Sequence, residues 1–278
     1  MSYFLKTLFR SSIFFVPLIF CFLFSLLQNT GSVKAHEFWL YPEKFTVQKH
    51  EKNPITIRIG QYFKGEAWPY LGDSFYSFNY TLNGKKIPIR GIDGDDPAAV
   101  LAFESNGLAV VTHHTRPIEI EFKEWEKFKT YLENEGLEHR IPDHLRFGFP
   151  KANITEQYVR CAKLLIAVEN NSKQKDQFTG MPLELIAEQN PFTLKEDEKL
   201  PVRLLHNGKP LGGARIIQIS KRSGERTKGP TTGADGRAMV AISEKGPWLL
   251  NVVHLIPQKA PSQTHWFSLW ASLTFEKL

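Results

Sequence analysis

From His36 to Leu278 the chain is written mostly in period two: apolar and polar side chains alternate over short runs, and Gly, Asn, Asp and Pro break the runs apart. A strand turns successive side chains to opposite faces, so this alternation buries one face of a sheet and wets the other. Phe38-Trp39-Leu40, Ile55 to Ile59, Tyr76 to Leu82 and Gly107 to Val111 read as strands of a first half. Leu183 to Ala187, Leu200 to Leu205, Ala214 to Ser220, Ala238 to Ile242, Trp248 to Leu255 and Trp266 to Phe275 read as strands of a second. Asn83-Gly84, Asn207-Gly208 and Asp235-Gly236 stand at strand ends, where Asn and Gly tolerate the positive φ of a tight turn. The acidic tract from Gly91 to Pro97 lacks the alternating ligands and closing Glu of a calcium loop and reads as a solvated turn.

The expected fold class is therefore all-β (mainly β), with two β-sandwich-like domains. Residues 36–172 form the first, 173–178 a polar linker, and 179–278 the second. About seven short strands in about 100 residues point to an immunoglobulin- or transthyretin-like sandwich for that second domain. An amphipathic helix near 123–135 interrupts the first, because Trp125, Phe128 and Leu132 fall at helical spacing and Gly136 closes the run as a C-cap does. Tyr158 to Val168 is ambiguous. Asn153 with Glu156 resembles a helix-capping pair, whereas the β-branched end of the run favours a strand.

Residues 1–35 have the three parts of a secretory signal peptide: Lys6 and Arg10 at the front, an apolar run from Ile13 to Leu27, and small residues at Val33 and Ala35. Cleavage after Ala35 leaves His36 as the mature N-terminus and no stable membrane anchor. Cys21 lacks the small preceding residues of a lipidation signal. Removing the segment takes away Lys6, Arg10, Lys34 and no acid, so 35 basic and 29 acidic residues become 32 and 29. The remaining basic residues are scattered among acids, which excludes a nucleic-acid footprint. Cys161, the one cysteine left, has no partner for a disulfide and reads as a small buried hydrophobe.

No His-Glu-x-x-His, Gly-x-Ser-x-Gly, phosphate-cradling loop or Cys-x-x-Cys occurs, so enzyme chemistry is not expected and no organic cofactor is implied. Glu133 and Glu135 read as a solvated helix face. Trp39, Trp68 and Tyr70 form either a stacking surface for a sugar or plugs over a β core. The histidines carry more chemistry. Cleavage would give His36 a free α-amino group with an ordinary pKa near 8, and one residue then offers both amine and imidazole to the same cation. Imidazole suits nickel, cobalt, copper and zinc, so the expected cofactor is a divalent transition metal. His254, His265, His113 and His114 are the candidates to complete the site, with at most one of the adjacent pair pointing to it. The alternative is that these histidines are incidental.

Several stretches in order along the chain resemble one family. They are Ala35-His36-Glu37-Phe38-Trp39-Leu40, Tyr131 to Leu137, Gln157 to Lys163, Pro182 to Leu185, Asn207 to Leu211, Gly233 to Arg237, Gly246-Pro247-Trp248 and Trp270 to Phe275. The family is a periplasmic group of unknown function associated with nickel transport, the NikM-like proteins. The turn before Asp235-Gly236 usually carries an acid in that family, and here holds Gly233. The resemblance implies an exported protein of the Gram-negative periplasm, handling nickel or cobalt and serving an envelope metal transporter or outer-membrane receptor. A non-catalytic β-sandwich module binding carbohydrate or protein is the alternative.

Overall fold

The computed structural model describes residues 36–169 and 174–278. The expected signal peptide, its expected cleavage site and residue 173 of the expected linker lie outside them. In chain order the first half holds β1 (Glu37–Pro42), β2 (Thr46–Val47), β3 (Asn53–Gln61), β4 (Lys64–Trp68), β5 (Phe75–Leu82), β6 (Lys85–Pro88), β7 (Ala99–Leu101), β8 (Gly107–Thr115), β9 (Ile118–Glu124), α1 (Trp125–Asn134), α2 (Ile141–Arg146) and β10 (Ala152–Val168). The second holds β11 (Leu183–Ala187), β12 (Lys199–His206), β13 (Lys209–Pro210), β14 (Arg215–Ser220), β15 (Arg226–Thr231), β16 (Arg237–Ala241), β17 (Gly246–Pro257) and β18 (Trp266–Lys277). The fold is mainly β, and every strand expected from alternation is present.

The halves meet in one sheet. Its order is β15-β14-β17-β18-β10-β8-β5-β6, and the join is the parallel pairing of β10 with β18, from Glu156 opposite Trp266 to Leu164 opposite Thr274. Two four-stranded sheets accompany it: β1-β3-β4 with β7 on β3, and β11-β12-β13 with β16 on β12. One continuous core draws on both sides of the expected boundary, with Leu40, Ile57, Val110 and Leu164 in the same buried cluster as Leu185, Val202, Leu250 and Leu273. The boundary segment is pinned. Asp176 is buried and takes Lys163 Nζ at 3.0 and 3.2 Å, while Glu184 takes the same ammonium at 2.6 Å. Glu184 also accepts the backbone N–H groups of Thr179, Gly180 and Met181. A charge excluded from water must be paired, so this triad ties 176–184 to β10.

Helix α1 stands where its spacing places it and ends on Gly136, whose φ of 71° lets Leu137 N–H reach back to the Leu132 carbonyl at 2.7 Å. The segment left ambiguous is the seventeen-residue strand β10. Asn153 has φ 52° and caps no helix, and Glu156 is turned into the core. Asn83-Gly84 and Asn207-Gly208 both have paired positive φ values, as two-residue hairpins require. Alternation missed β15, whose Gly229-Pro230 weakens a strand pattern, yet β15 lies at the edge of the sheet where a missing N–H is tolerated. Among the described residues no helix is long and apolar enough to cross a membrane.

Candidate functional site

The five expected ligands are distributed over separate surroundings. His36 lies half-buried just ahead of β1. His113, near the end of β8, is buried among the rings of Phe38, Phe75 and Phe78, at 5.5, 4.8 and 5.1 Å. Desolvation lowers its pKa to about 3, helped by the neighbouring His114. Alternation turns His114 the other way, against Tyr76 at 5.2 Å. His265 precedes β18, and its Nδ1 accepts the Thr155 N–H at 3.0 Å. Among the described residues no group of three or more His, Cys, Asp and Glu side chains is arranged to hold a metal ion.

His254 does have an imidazole partner, though none of those expected. It stands on β17 beyond Asn251, where the pairing of β14 with β17 stops, and the His206 ring lies 4.9 Å from its own. His206 is the last residue of β12, held there by the Asn207-Gly208 turn. Burial lowers the pKa of His254 to about 4, and His206, Arg140 and His139 add to the effect. His206 is lowered by burial as well. Both rings are therefore neutral near pH 7, the state in which imidazole donates a lone pair to a metal. Asn207 Nδ2 lies 3.1 Å from His206 Nε2 and, as the donor, marks that nitrogen as the one with the lone pair. Arg140 would repel a cation, but it is paired with Asp143 at 3.0 Å. Nothing in sequence spacing links 206 to 254; only the stacking of the β12 sheet against β17 does.

A second polar assembly lies under α1. Glu135 is buried rather than solvated, whereas Glu133 is exposed as expected. Arg226 on β15 bridges Glu37 Oε1 at 2.9 Å and Glu135 Oε1 at 2.7 Å, and Asn251 donates to Glu135 Oε2 at 3.3 Å. Desolvation raises Glu135 to about 7 despite the guanidinium, and the Glu37 carboxylate adds to the rise. One helical turn earlier, Tyr131 donates to Glu156 Oε1 at 3.2 Å, and Ser268 Oγ donates to the same oxygen. Among the described residues Glu156 has no cation beside it, and burial raises it to about 7 as well. These acids lie in the interior and stiffen the packing of α1 on the sheet. Cys161 is buried with its thiol pushed up to about 12, which removes it from thiolate chemistry. Of the aromatic trio only Trp68 is exposed, because Trp39 packs edge-on to Phe63 and Tyr70 edge-on to Phe75.

The family model described as "Domain of unknown function (DUF4198)" matches residues 33–256. No curated protein matches the chain. Solved structures similar to it include the D0-D1 domain of intimin, 11% identical over 85% of this chain and 96% of that one, with a TM-score of 0.19. A two-domain fibronectin type-III segment of chicken tenascin is 10% identical over 84% of this chain and 95% of that one, with a TM-score of 0.20. Such scores transfer no site or ligand, and the β architecture rests on the strands themselves.

Proposed function

Because the chain belongs to the DUF4198 family, a group defined without an activity, we propose that it is an exported, non-catalytic binding protein for a divalent transition metal of the nickel or cobalt type. It would hand the ion to an envelope transporter or receptor from the periplasm. The observation that supports this reading is the His206–His254 pair: two imidazoles 4.9 Å apart between centroids, both with depressed pKa values. Two neutral rings at that separation bind one borderline-soft cation through one nitrogen each, leaving the remaining positions to water. The exposed Asn207 amide gives up its contact with His206 when the metal takes the lone pair. An open coordination sphere suits an ion that must be released.

The chelate of amine and imidazole at His36 is a separate proposal. It needs only cleavage after Ala35, and its ring stands outside the His206–His254 pair. Calorimetric titration of the mature protein, 36–278, with nickel tests the reading. Binding that His254→Ala or His206→Ala weakens at least tenfold supports it, equal to about 1.4 kcal/mol. Affinity unchanged in both variants removes this pair from the account.

A further inference from the structure

His113 is buried and Arg160 half-buried at the Phe38 ring, and each has a buried nitrogen without the partner it requires. The Arg160 guanidinium lies 5.2 Å over the Phe38 ring and 5.0 Å over the Tyr158 ring. Its Nε is shut off from water with no hydrogen-bond partner, and no carboxylate among the described residues pairs with it. His113, whose ring centroid is 5.5 Å from that of Phe38, is 2% exposed and both its ring nitrogens are unpartnered. A neutral imidazole always carries one N–H, so a buried donor goes unused there. The guanidinium is partly desolvated and has no counter-ion among the described residues, and two aromatic faces offset that desolvation only in part.

The strands explain how the groups come together. Arg160 sits where β10 has left β9, whose pairing ends at Tyr158 opposite Ile118, and has not yet met β8, whose pairing begins at Leu165 opposite Val110. The gap is bridged by Arg160 N–H donating to Thr115 Oγ1 at 2.9 Å. Arg160 and Tyr158 each keep part of their surface in solvent, so the position is open on one side.

We infer that this position, between Arg160 and His113 at the edge of Phe38, binds a small carboxylate. The planar guanidinium matches the two oxygens of a carboxylate, and the imidazole N–H supplies a further donor. The site is separate from the His206–His254 pair, so it stands or falls independently of the metal.

The test is thermal unfolding and calorimetry of the mature protein with formate, acetate and benzoate, which share the head and differ in body. Benzamide serves as the uncharged counterpart of benzoate, and inorganic phosphate as an anion of different shape. The expected result is a rise in Tm and saturable binding with at least one carboxylate, at least tenfold weaker binding of benzamide and phosphate, and loss of the effect in Arg160→Met. His113→Phe, which keeps the ring and removes the donor, should weaken carboxylate binding several-fold. No saturable response to any of the three carboxylates, or equal responses to benzoate and benzamide, overturns the assignment. Should Arg160→Met fail to fold, the comparison of benzoate with benzamide on the unaltered protein still decides it.

Discussion

Glu156→Gln should flatten the pH dependence of stability, by an amount that follows from the site. Glu156 is buried with no cation beside it among the described residues, and its folded pKa is about 7 against an ordinary value of 4.5. The folded state therefore holds this proton more tightly than the unfolded chain does. Its contribution is fully present below pH 4.5, is lost as pH rises toward 7, and stays lost above. At 1.36 kcal/mol per pKa unit the whole effect is about 3 kcal/mol, of which about 2.5 falls between pH 5 and pH 8. Gln keeps an acceptor for Tyr131 and Ser268, but it places an amide where Oε2 has no partner. That adds a cost of about 1–3 kcal/mol at every pH. The informative quantity is thus the change in the gap between the two proteins. Glu135, also near 7, is present in both and largely cancels. Urea unfolding at pH 5 and pH 8 should show the unaltered protein losing about 2.5 kcal/mol more than Glu156→Gln over that interval. Equal losses would mean that Glu156 is ionised in the folded state throughout, and the argument from desolvation would fail.

Three further outcomes follow. Lys163→Met leaves Asp176 and Glu184 buried without their cation and should destabilise by about 3–5 kcal/mol, whereas adding Asp176→Asn and Glu184→Gln should recover part of it; chemical denaturation reads both. Cys161, buried with its thiol near 12, should react with a thiol reagent at pH 8 only at the rate of unfolding, so immediate labelling of folded protein would contradict its placement. If His36 chelates through its amine, a leftover Met before it should weaken that component about thirty- to thousand-fold, a loss of about 2–4 kcal/mol, and equal nickel affinities for cleaved and Met-extended protein would remove the N-terminal chelate.

The strands were legible because alternation is a local property: β11, β12, β14, β16, β17 and β18 fall within a few residues of where Leu183 to Phe275 place them. The joining of the halves was not. The parallel pairing of Glu156–Leu164 with Trp266–Thr274 spans more than a hundred residues of sequence, and a polar stretch such as Lys175-Asp176-Gln177 looks like a linker until Lys163 is seen to reach it. Glu135 and Glu156 show the same limit. A carboxylate on a charged helix reads as solvent-facing and one three residues after an Asn reads as half of a capping pair, and only Arg226 from β15 and Ser268 from β18 reveal the inward orientation. Among the histidines, residue type marked His254 but could not supply His206, which enters through a sheet-to-sheet contact. Arg160 left no local trace at all, since its defining feature is the partner it lacks.

The central claim is that His206 and His254 take the metal, and NMR of the histidine ring protons reports it directly. On titrating the mature protein with cobalt at pH 7, the resonances of His206 and His254 should shift or broaden first and together. His50 and His144 should stay unmoved, the latter because its nitrogens are engaged by Trp266 and Pro150. Shifts confined to other histidines, or a ring spectrum unchanged at saturating cobalt, would contradict the account.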